Sequence, residues 1–358
     1  MMMFQRLLVR GTNWVGDSIM TLPALRELRR LFPTAHLTLM VRPWVADLFA
    51  DTPLADDLLL YDNRQESFLS GVTKLKAGRF DVAIFFQNAF EAAALAFAAR
   101  IPRRIGFATN GRRFLLTDAF PVTPATRRKH QIYFYLDLVA QLEARLTGAS
   151  HVNYEAIDYR LPVSAAAHAA LDAKRPDLRH VEHPLAIVPG AANSRAKQWP
   201  AAAFTALLDR LAAAHDWPLF LVGAPGERPL CETIRQEMQC PERVTILAGE
   251  LSLRESVALL SRCAAVVSND TGPAYIAAAL DRPLVTIFGP TDPNQISPFS
   301  PTARQVRKLV PCAPCLLKDC PIDHRCLTGV TPDMVYQALL AALEENRDLR
   351  PAQLHARL

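Results

Sequence analysis

Short runs of Val, Ile, Leu and Phe recur along the chain, and segments with helical periodicity separate them. Apolar runs of about four to eight residues are typical of strands buried on both faces of a parallel sheet, and the intervening segments suit crossover helices. The pattern predicts strands at Arg6–Val9, His36–Val41, Asp57–Tyr61, Asp81–Phe86, Arg103–Phe107, Leu185–Val188, Leu219–Val222, Val244–Leu247, Ala264–Ser268 and Leu284–Phe288. It predicts helices at Asp17–Phe32, Lys129–Arg145 and Thr331–Glu345, the last with Thr331 as N-cap and Pro332 at the first helical position.

The alternation weakens after Arg160 and resumes at Leu185, with an irregular segment of prolines, histidines and charges before it. We therefore predict an α/β protein with two Rossmann-like doubly wound domains, residues 1–175 and 185–345, with a linker at 176–184 and a tail at 346–358. Ligands of such sheets bind beyond the carboxyl ends of the strands, so we expect the two domains to face a central cleft.

The composition, with 358 residues of which 50% are hydrophobic and 21% charged, supports two packed domains. The net charge of +5 is concentrated in the first half, where residues up to Arg179 include 23 Lys and Arg against 17 Asp and Glu. A basic half favours an acidic partner such as phosphorylated lipid, nucleic acid or a membrane surface, although a solvated surface would also explain it. No apolar run approaches the roughly 20 residues that span a bilayer, and the N-terminus lacks a signal-peptide pattern, so we expect a cytoplasmic protein.

The strongest candidate for chemistry is residues 266–293, VVSNDTGPAYIAAALDRPLVTIFGPTDP. The pattern predicts a strand, a polar turn, an Ala-rich helix and a second strand, with Asp270, Thr271 and Gly272 at the strand-to-helix junction. A helix start favours an anion such as a diphosphate, and Asp270 can accept a hydrogen bond from a sugar hydroxyl. The alternative is that Asp270 or Thr271 simply caps the helix.

A second loop follows the strand predicted at Leu185–Val188, with the sequence VPGAANSRAKQWP. Asn193 and Ser194 can bond phosphate oxygens, and Lys197 offers a cation just before the next helix. This loop is the second candidate for an anion site.

Two further carboxylates follow predicted strands. Glu227, in VGAPGERPLCETI, could accept both hydroxyls of a ribose, but a glutamate in a first helical turn also stabilises the helix dipole without a ligand. Asp17, in RGTNWVGDSIMTLPAL, has the same alternative. Opposite a bound sugar phosphate it would be placed to take a proton from an acceptor hydroxyl.

Several nucleotide-binding patterns are missing from the sequence. It has no G-x-x-x-x-G-K-[ST], which argues against ATP hydrolysis, and no G-x-G-x-x-G after a strand, which argues against a nicotinamide or flavin enzyme. It has no Asp-x-Asp to hold a divalent metal on a diphosphate. We therefore expect no cofactor and metal-independent chemistry, with leaving-group charge neutralised by Lys197 and the helix start at Thr271 and Gly272.

Four late cysteines, Cys312, Cys315, Cys320 and Cys326, form the pattern C-x2-C-x4-C-x5-C. They could hold structural zinc, but the spacing is tighter than in the usual two-knuckle sites. We expect a stiff loop without metal, and zinc is the alternative.

A basic stretch runs from Arg100 to Lys129 with Asp118 as its only acid. Such a stretch can bind phosphates of an acceptor. Nucleic acid is the alternative partner, but no nucleic-acid-binding motif accompanies the charge, and we expect none. The candidate acceptor-binding residues are Asn13, Trp14, Arg103, Arg112 and Arg113.

Taken in order, these segments resemble the lipopolysaccharide heptosyltransferases of glycosyltransferase family 9 over nearly the whole chain. The shared motifs are NWVGD followed by MTLPALRELRRLFP, the PG...K-x-WP loop, VGAPGE, NDTG...AAL-x-RP with FGPTDP, and the late cysteine cluster. Family members commonly have a histidine three residues after the Asp-Thr-Gly motif, where this chain has Tyr275. A tyrosine can hydrogen-bond but carries no positive charge near neutral pH.

The resemblance implies a GT-B fold and an inverting enzyme that transfers L-glycero-D-manno-heptose from ADP-heptose to the heptose of the lipopolysaccharide inner core. It implies an acceptor-binding first domain and a nucleotide-sugar-binding second domain. The implied roles are base for Asp17, diphosphate binding for Lys197, Asn193 and Ser194, ribose binding for Glu227, and donor contact for Asp270, Thr271, Gly272 and Tyr275.

The implied acceptor is an anionic Kdo-lipid A core, which would bring the enzyme into peripheral contact with the inner-membrane surface. Two alternatives stay open. One is a related GT-B transferase that uses another nucleotide sugar for a different surface glycan. The other is a catalytically silent sugar-nucleotide-binding protein.

Overall fold

The computed structural model describes residues 4–192 and 194–355. Its contacts divide the chain into two compact units between Tyr159 and Arg160. Each unit is built around one six-stranded sheet in which every paired strand runs parallel to its neighbours. The predicted α/β class is confirmed.

The first unit contains a sheet and the helices that connect its strands. Its strands are β1 (Arg6–Arg10), β2 (His36–Val41), β3 (Asp57–Leu60), β4 (Val82–Phe85), β5 (Arg103–Phe107) and β6 (Asp118–Phe120). Its helices are α1 (Val15–Met20), α2 (Leu22–Leu31), α3 (Pro43–Ala46), α4 (Phe68–Ala77), α5 (Phe90–Ala98), α6 (Pro124–Arg128) and α7 (Gln131–Thr147). The strand order across the sheet is β3-β2-β1-β4-β5-β6.

The second unit repeats this plan. Its strands are β7 (Leu185–Val188), β8 (Leu219–Leu221), β9 (Val244–Ile246), β10 (Ala265–Asn269), β11 (Leu284–Phe288) and β12 (Ala303–Arg307). Its helices are α8 (Ala165–Lys174), α9 (Ala201–Ala214), α10 (Arg228–Gln236), α11 (Leu253–Arg262), α12 (Gly272–Ala279), α13 (Pro293–Ile296), α14 (Arg325–Thr328) and α15 (Pro332–His355). The strand order is β12-β11-β10-β7-β8-β9.

Both sheets have the Rossmann order, 3-2-1-4-5-6 when the strands are numbered within each unit. The order reverses between β1 and β4 in the first unit and between β7 and β10 in the second. At such a switch point the loops after the two central strands diverge and leave a crevice for ligands. The loops that carry Asp17, Lys197 and Asp270 follow three of these four central strands.

The hydrophobic pattern explains the packing around the central strands. All residues of β4 and β7 are buried, as expected for strands covered on both faces. In α9, Phe204, Leu207 and Leu211 recur at helical spacing and are buried in the core of the second unit. Trp199 is fully buried beside them and meets the Phe204 ring edge-on at 4.8 Å.

All ten predicted strands are present, with ends within one residue of those predicted. The helix predicted at Asp17–Phe32 is divided at Thr21 into α1 and α2, because Pro23 has no N–H to continue the ladder. Thr331 caps α15 as predicted, since its Oγ1 accepts from the Met334 N–H at 3.3 Å. Among the described residues, no helix combines the length and apolar character needed to cross a membrane.

The domain boundary lies earlier than predicted. Residues 160–175, assigned from sequence to the first domain, belong to the second unit because α8 packs on α11. Asp172 and Arg262 form an ion pair at 2.6 Å between these helices. The predicted tail at 346–358 starts inside α15, which continues to His355.

Candidate active site

Lys197 and Asp270 meet at the switch point of the second unit. β7 and β10 are paired neighbours, so the loops that follow them begin side by side. Lys197 lies in a 3-10 turn, Arg195–Lys197, and its Nζ is 2.7 Å from Asp270 Oδ2 and 3.3 Å from the Asp270 carbonyl oxygen. The Asp270 side chain is 1% exposed and that of Lys197 is 25% exposed. A buried carboxylate is thus neutralised by a cation that reaches solvent.

The remaining contacts of Asp270 fix its orientation. Thr291 Oγ1, beyond β11, donates to Asp270 Oδ2 at 2.8 Å. The hydroxyl of Tyr275, from α12, lies 3.0 Å from Asp270 Oδ1 and also bonds the Ile296 carbonyl. Both carboxylate oxygens are therefore engaged. Thr291 was quoted within its motif but was not assigned a role from the sequence.

Helix α12 begins at Gly272, with Thr271 as its N-cap residue in an extended conformation. The Thr271 side chain makes no capping hydrogen bond. The Asp270 carboxylate is directed to Lys197, Thr291 and Tyr275. Helix capping therefore does not explain why an acid and a threonine occupy this junction.

Asn269 is a site residue that the sequence analysis missed. It is fully buried, and its Nδ2 donates to the carbonyls of Pro189 at 2.8 Å and Gly190 at 3.2 Å. Its Oδ1 accepts from the Trp199 N–H at 3.1 Å. One amide thus ties the end of β10 to both ends of the loop after β7. A buried amide needs such partners, so an Asn inside an apolar strand end was the available signal.

The loop after β7 is also held by the cysteine-bearing segment, residues 312–326, which carries Cys312, Cys315, Cys320 and Cys326. Ser194 Oγ donates to the Lys318 carbonyl at 3.1 Å, and the Ala196 N–H donates to the same oxygen at 2.9 Å. His324 Nε2 lies 2.9 Å from the Ala196 carbonyl oxygen. The Ser194 hydroxyl, which was predicted to bind phosphate, therefore donates to a backbone carbonyl in this conformation. The predicted residue Asn193 lies outside the described residues.

Glu227 connects the loops after β7 and β8. Its carboxylate accepts from the backbone N–H groups of Ala224, at 2.8 Å, and Ala192. Burial raises the pKa of Glu227, and these two N–H groups oppose that shift. The carboxylate also lies over Gly190, where an added Cβ would meet it at 2.0 Å, so a larger residue there would displace the Glu227 carboxylate. Glu227 is therefore adjacent to the Lys197 loop, as a ribose-binding residue would be.

The cysteine-bearing segment does not form a metal site in the described part of the chain. Cys312 and Cys315 are exposed, Cys320 is partly buried and Cys326 is buried, all as free thiols. Burial and the neighbouring thiols raise the pKa of Cys326. No group of three or more His, Cys, Asp or Glu side chains is arranged there to hold a metal ion. The zinc alternative therefore has no ligand set in this structure.

In the first unit, Asp17 lies in the first turn of α1 and is partly exposed. Burial raises the pKa of the neighbouring Tyr135 on α7, and the negative charge of Asp17 adds to that shift. The hydroxyls of Thr12 and Ser18 lie 2.8 Å apart and close the turn that presents Asp17. The predicted base is thus presented by a packed turn.

Asn13 organises a small pocket beside this turn. Its Oδ1 accepts from Arg10 at 2.9 Å and from Arg42 at 3.1 Å, and both guanidiniums are buried. Burial and the charge of Arg42 lower the pKa of Arg10 to about 9. The Trp44 indole donates to the Asn13 carbonyl at 2.9 Å. The pocket has a volume of about 310 Å³ and is lined by Asn13, Trp14, Arg42, Trp44, Asn63 and Arg64.

The three arginines predicted to bind the acceptor have different environments. Arg103 makes a bidentate pair with Asp118, at 2.9 and 2.8 Å, which joins β5 to β6. Arg112 is completely buried, and it donates to the carbonyls of Phe107 and Gln87 and to Asn88 Oδ1. Burial lowers its pKa to about 10. Arg112 has no exposed surface for an acceptor, whereas Arg113 is exposed.

Comparison with known proteins identifies the family. Residues 69–325 match the model of glycosyltransferase family 9 (heptosyltransferase), so this chain belongs to that family. The matched region includes Lys197, Glu227 and Asp270, and Asp17 precedes it.

Relatives of nearly equal length extend the match across the chain. Lipooligosaccharide heptosyltransferase 2 of Haemophilus influenzae is 27% identical over 351 residues, 93% of this chain and 98% of the relative. The structure of E. coli ADP-heptose lps heptosyltransferase II matches with a TM-score of 0.81 at 26% identity, covering 96% of this chain and 100% of that one. E. coli heptosyltransferase WaaC with ADP matches in fold, with a TM-score of 0.71, 21% identity and coverage of 94% and 100%. The GT-B assignment is confirmed.

Proposed function

We propose that this protein is an inverting heptosyltransferase that transfers L-glycero-D-manno-heptose from ADP-heptose to the heptose of the lipopolysaccharide inner core. The observation that carries the proposal is the Lys197–Asp270 pair at the switch point of the second unit, in a chain of glycosyltransferase family 9. Its full-length relatives named heptosyltransferase 2 support the choice of sugar and acceptor.

Lys197 and Asp270 act on the two ends of the donor. Lys197 moves its ammonium from Asp270 to the diphosphate, where it balances charge as ADP departs. Asp270, released from the ion pair, accepts a hydrogen bond from a sugar hydroxyl. Glu227 accepts from the ribose hydroxyls, and the start of α12 at Thr271 and Gly272 adds its positive dipole end to the phosphate site.

Asp17 is the base in a single displacement. The acceptor hydroxyl oxygen attacks the anomeric carbon while the bond from that carbon to the phosphate oxygen breaks, and the electron pair leaves with ADP. Asp17 takes the hydroxyl proton. One displacement inverts the anomeric configuration. Because the sequence has no Asp-x-Asp and supplies Lys197 instead, we propose that transfer needs no metal ion and no cofactor.

The basic first unit suits an anionic acceptor. Asn13, Trp14 and the exposed Arg113 are its proposed contacts, and Arg103 and Arg112 are positioning residues because they are held by internal partners. We propose that the enzyme acts in the cytoplasm, at the surface of the inner membrane where a Kdo-lipid A acceptor is anchored.

The test is to supply ADP-heptose or UDP-sugars with a truncated core acceptor and to weigh the product. A mass increase of one heptose from ADP-heptose alone supports the proposal. Transfer from a UDP-sugar instead would identify a related transferase, and binding of ADP-heptose with neither product nor ADP release in the presence of acceptor would leave a silent binding protein. Asp17→Asn should reduce turnover by about a hundredfold or more and leave ADP affinity nearly unchanged. Wild-type turnover in that variant would remove Asp17 as the base.

A further inference from the structure

Helix α5 exposes an apolar face on the first unit. Its sequence, FEAAALAFA, contains a single charged residue, Glu91, which is engaged by the Tyr61 hydroxyl and by Asn63 Nδ2. Phe90 and Phe97 are seven residues apart, two helical turns, and so lie on the same side. They are 47% and 52% exposed.

Phe114, from the turn before β6, extends this face. It is 73% exposed, and its ring centroid lies 6.0 Å from that of Phe90. Three large aromatic side chains thus share one solvent-exposed surface. Contiguous exposed aromatic surface marks an interaction site, because isolated apolar residues are ordinary but clusters are costly to hydrate.

Arginines surround the aromatic rings. The Arg104 guanidinium lies 5.3 Å from the Phe97 ring centroid and is anchored by the carbonyls of Ile101 and Leu115. Arg100 and Arg113 are exposed and close to the rings in sequence, three residues after Phe97 and one before Phe114. Residues 92–117 contain no Asp or Glu. The following acid, Asp118, is neutralised by the bidentate contact with Arg103.

A shallow cavity of about 620 Å³ lies beside Phe114. Its wall includes Arg113, Arg145, Phe120 and Ala119, and also Asp118, whose carboxylate is paired with Arg103. Two cations and an apolar wall suit the phosphate and the upper chain of a phospholipid.

We propose that the aromatic–arginine patch, defined as Phe90, Phe97, Phe114, Arg100, Arg104 and Arg113, docks the first unit onto a bilayer that contains anionic phospholipid. Exposed rings insert at the level of the headgroups, and the arginines bind the phosphates. A symmetric contact with a second copy is disfavoured, because it would bring arginines against arginines. The inference rests on the proposed function in one respect: a lipid-anchored acceptor gives the enzyme a reason to occupy a bilayer surface.

The test measures binding of the full chain to vesicles of phosphatidylcholine alone and of an equimolar mixture with phosphatidylglycerol. We expect binding to the mixed vesicles that weakens with added salt. Phe97→Ser and Phe114→Ser should each weaken it by about tenfold. Arg100→Gln should weaken it by about fivefold. Matched controls in the second unit are Leu309→Ser, at a 75% exposed leucine, and Arg235→Gln; both should bind like wild type.

Activity separates this inference from the proposed function. The variants Phe97→Ser, Phe114→Ser and Arg100→Gln should keep wild-type turnover with a delipidated acceptor and lose it with a lipid-linked acceptor in mixed vesicles. If the wild-type protein transfers heptose but does not bind mixed vesicles, the bilayer-docking role of the patch is wrong and the proposed function is unaffected. If the protein binds mixed vesicles but does not transfer heptose, the proposed function is wrong and the docking patch is supported. Patch variants that bind like wild type, or a dimer in sedimentation that these substitutions dissociate, also overturn the bilayer assignment.

Discussion

The ammonium of Lys197 lies 2.7 Å from a carboxylate oxygen of Asp270 whose side chain is almost wholly buried. The two residues are far apart in sequence but follow adjacent strands. The pair neutralises a buried charge in the free protein, and under the proposed function it also holds the donor-binding cation in reserve.

Removing the cation should destabilise the protein. Lys197→Met leaves the Asp270 charge without its counterion, and we expect the free energy of unfolding to fall by about 2 kcal/mol, a value reduced because Lys197 is partly exposed. The double variant with Asp270→Asn should regain most of that loss but not the affinity for ADP-heptose. Urea unfolding and calorimetric titration give the two quantities. Lys174→Met, which breaks the more exposed pair with Glu255, is the matched control and should cost under about 1 kcal/mol. Recovery of ADP-heptose affinity in the double variant would show that Lys197 does not bind the donor.

Tyr275 should affect the sugar end of the donor more than the nucleotide. Tyr275→Phe removes a buried hydroxyl between Asp270 and the Ile296 carbonyl, so we expect a loss of about 1–2 kcal/mol in stability. Affinity for ADP-heptose should fall severalfold while affinity for ADP is retained. Tyr336→Phe is the control, since its hydroxyl bonds His215 elsewhere in the second unit. Equal loss of both ligands in Tyr275→Phe would contradict a role at the sugar.

Glu227 should make both stability and donor binding depend on pH. Its pKa in the folded protein is raised by burial above the ordinary value of 4.5, so the folded state keeps the proton to higher pH than the unfolded state. The contribution of Glu227 to stability is therefore present below pH 4.5 and is lost as pH rises through the raised pKa. ADP affinity should change in the opposite direction, because the ionised carboxylate is the better acceptor for ribose hydroxyls.

Measurements of the free energy of unfolding and of ADP affinity across this pH range test both pH dependences. In Glu227→Gln, the fall in stability should disappear and ADP should bind weakly at every pH. Glu232→Gln, in helix α10 that follows Glu227, should leave ADP binding as in wild type. A wild-type ADP affinity in Glu227→Gln would exclude the ribose contact.

Transfer should continue undiminished in excess EDTA. The expected charge balance on the departing diphosphate comes from Lys197 and the helix start, so a chelator has nothing to remove. The measurement is initial rate with and without EDTA, alongside metal analysis of protein purified under reducing conditions. Strict dependence on added magnesium would contradict metal independence, and one zinc per chain would revive the cysteine site.

The sequence was most informative where burial is complete. All ten predicted strands are present in the structure, and they include two edge strands, β3 and β9, whose apolar runs were recognisable. The two strands that were missed, β6 and β12, are edge strands. Ala303–Arg307 alternates polar and apolar residues, and Asp118–Phe120 is too short to show a period. Both missed strands therefore lack the continuous apolar run on which the prediction depended.

The candidate site was predictable as a set of loops but not as a set of contacts. Lys197, Glu227 and Asp270 each follow a strand of one parallel sheet. The topology alone therefore places all three at the same edge of that sheet. Their partners depend on packing between distant segments, as with the Asn269 amide and the Lys318 carbonyl. For the same reason Arg112, one charge in a basic run, could not be recognised from sequence as a buried residue.

The strand order of the two sheets also bears on synthesis. β1 to β6 all precede β7 to β12, and each sheet is completed by strands from its own half of the chain. The first sheet can therefore close on the ribosome while the second half is still being translated, since domains generally fold as units during synthesis. Nascent-chain force measurements should accordingly show a folding event soon after Tyr159 leaves the exit tunnel.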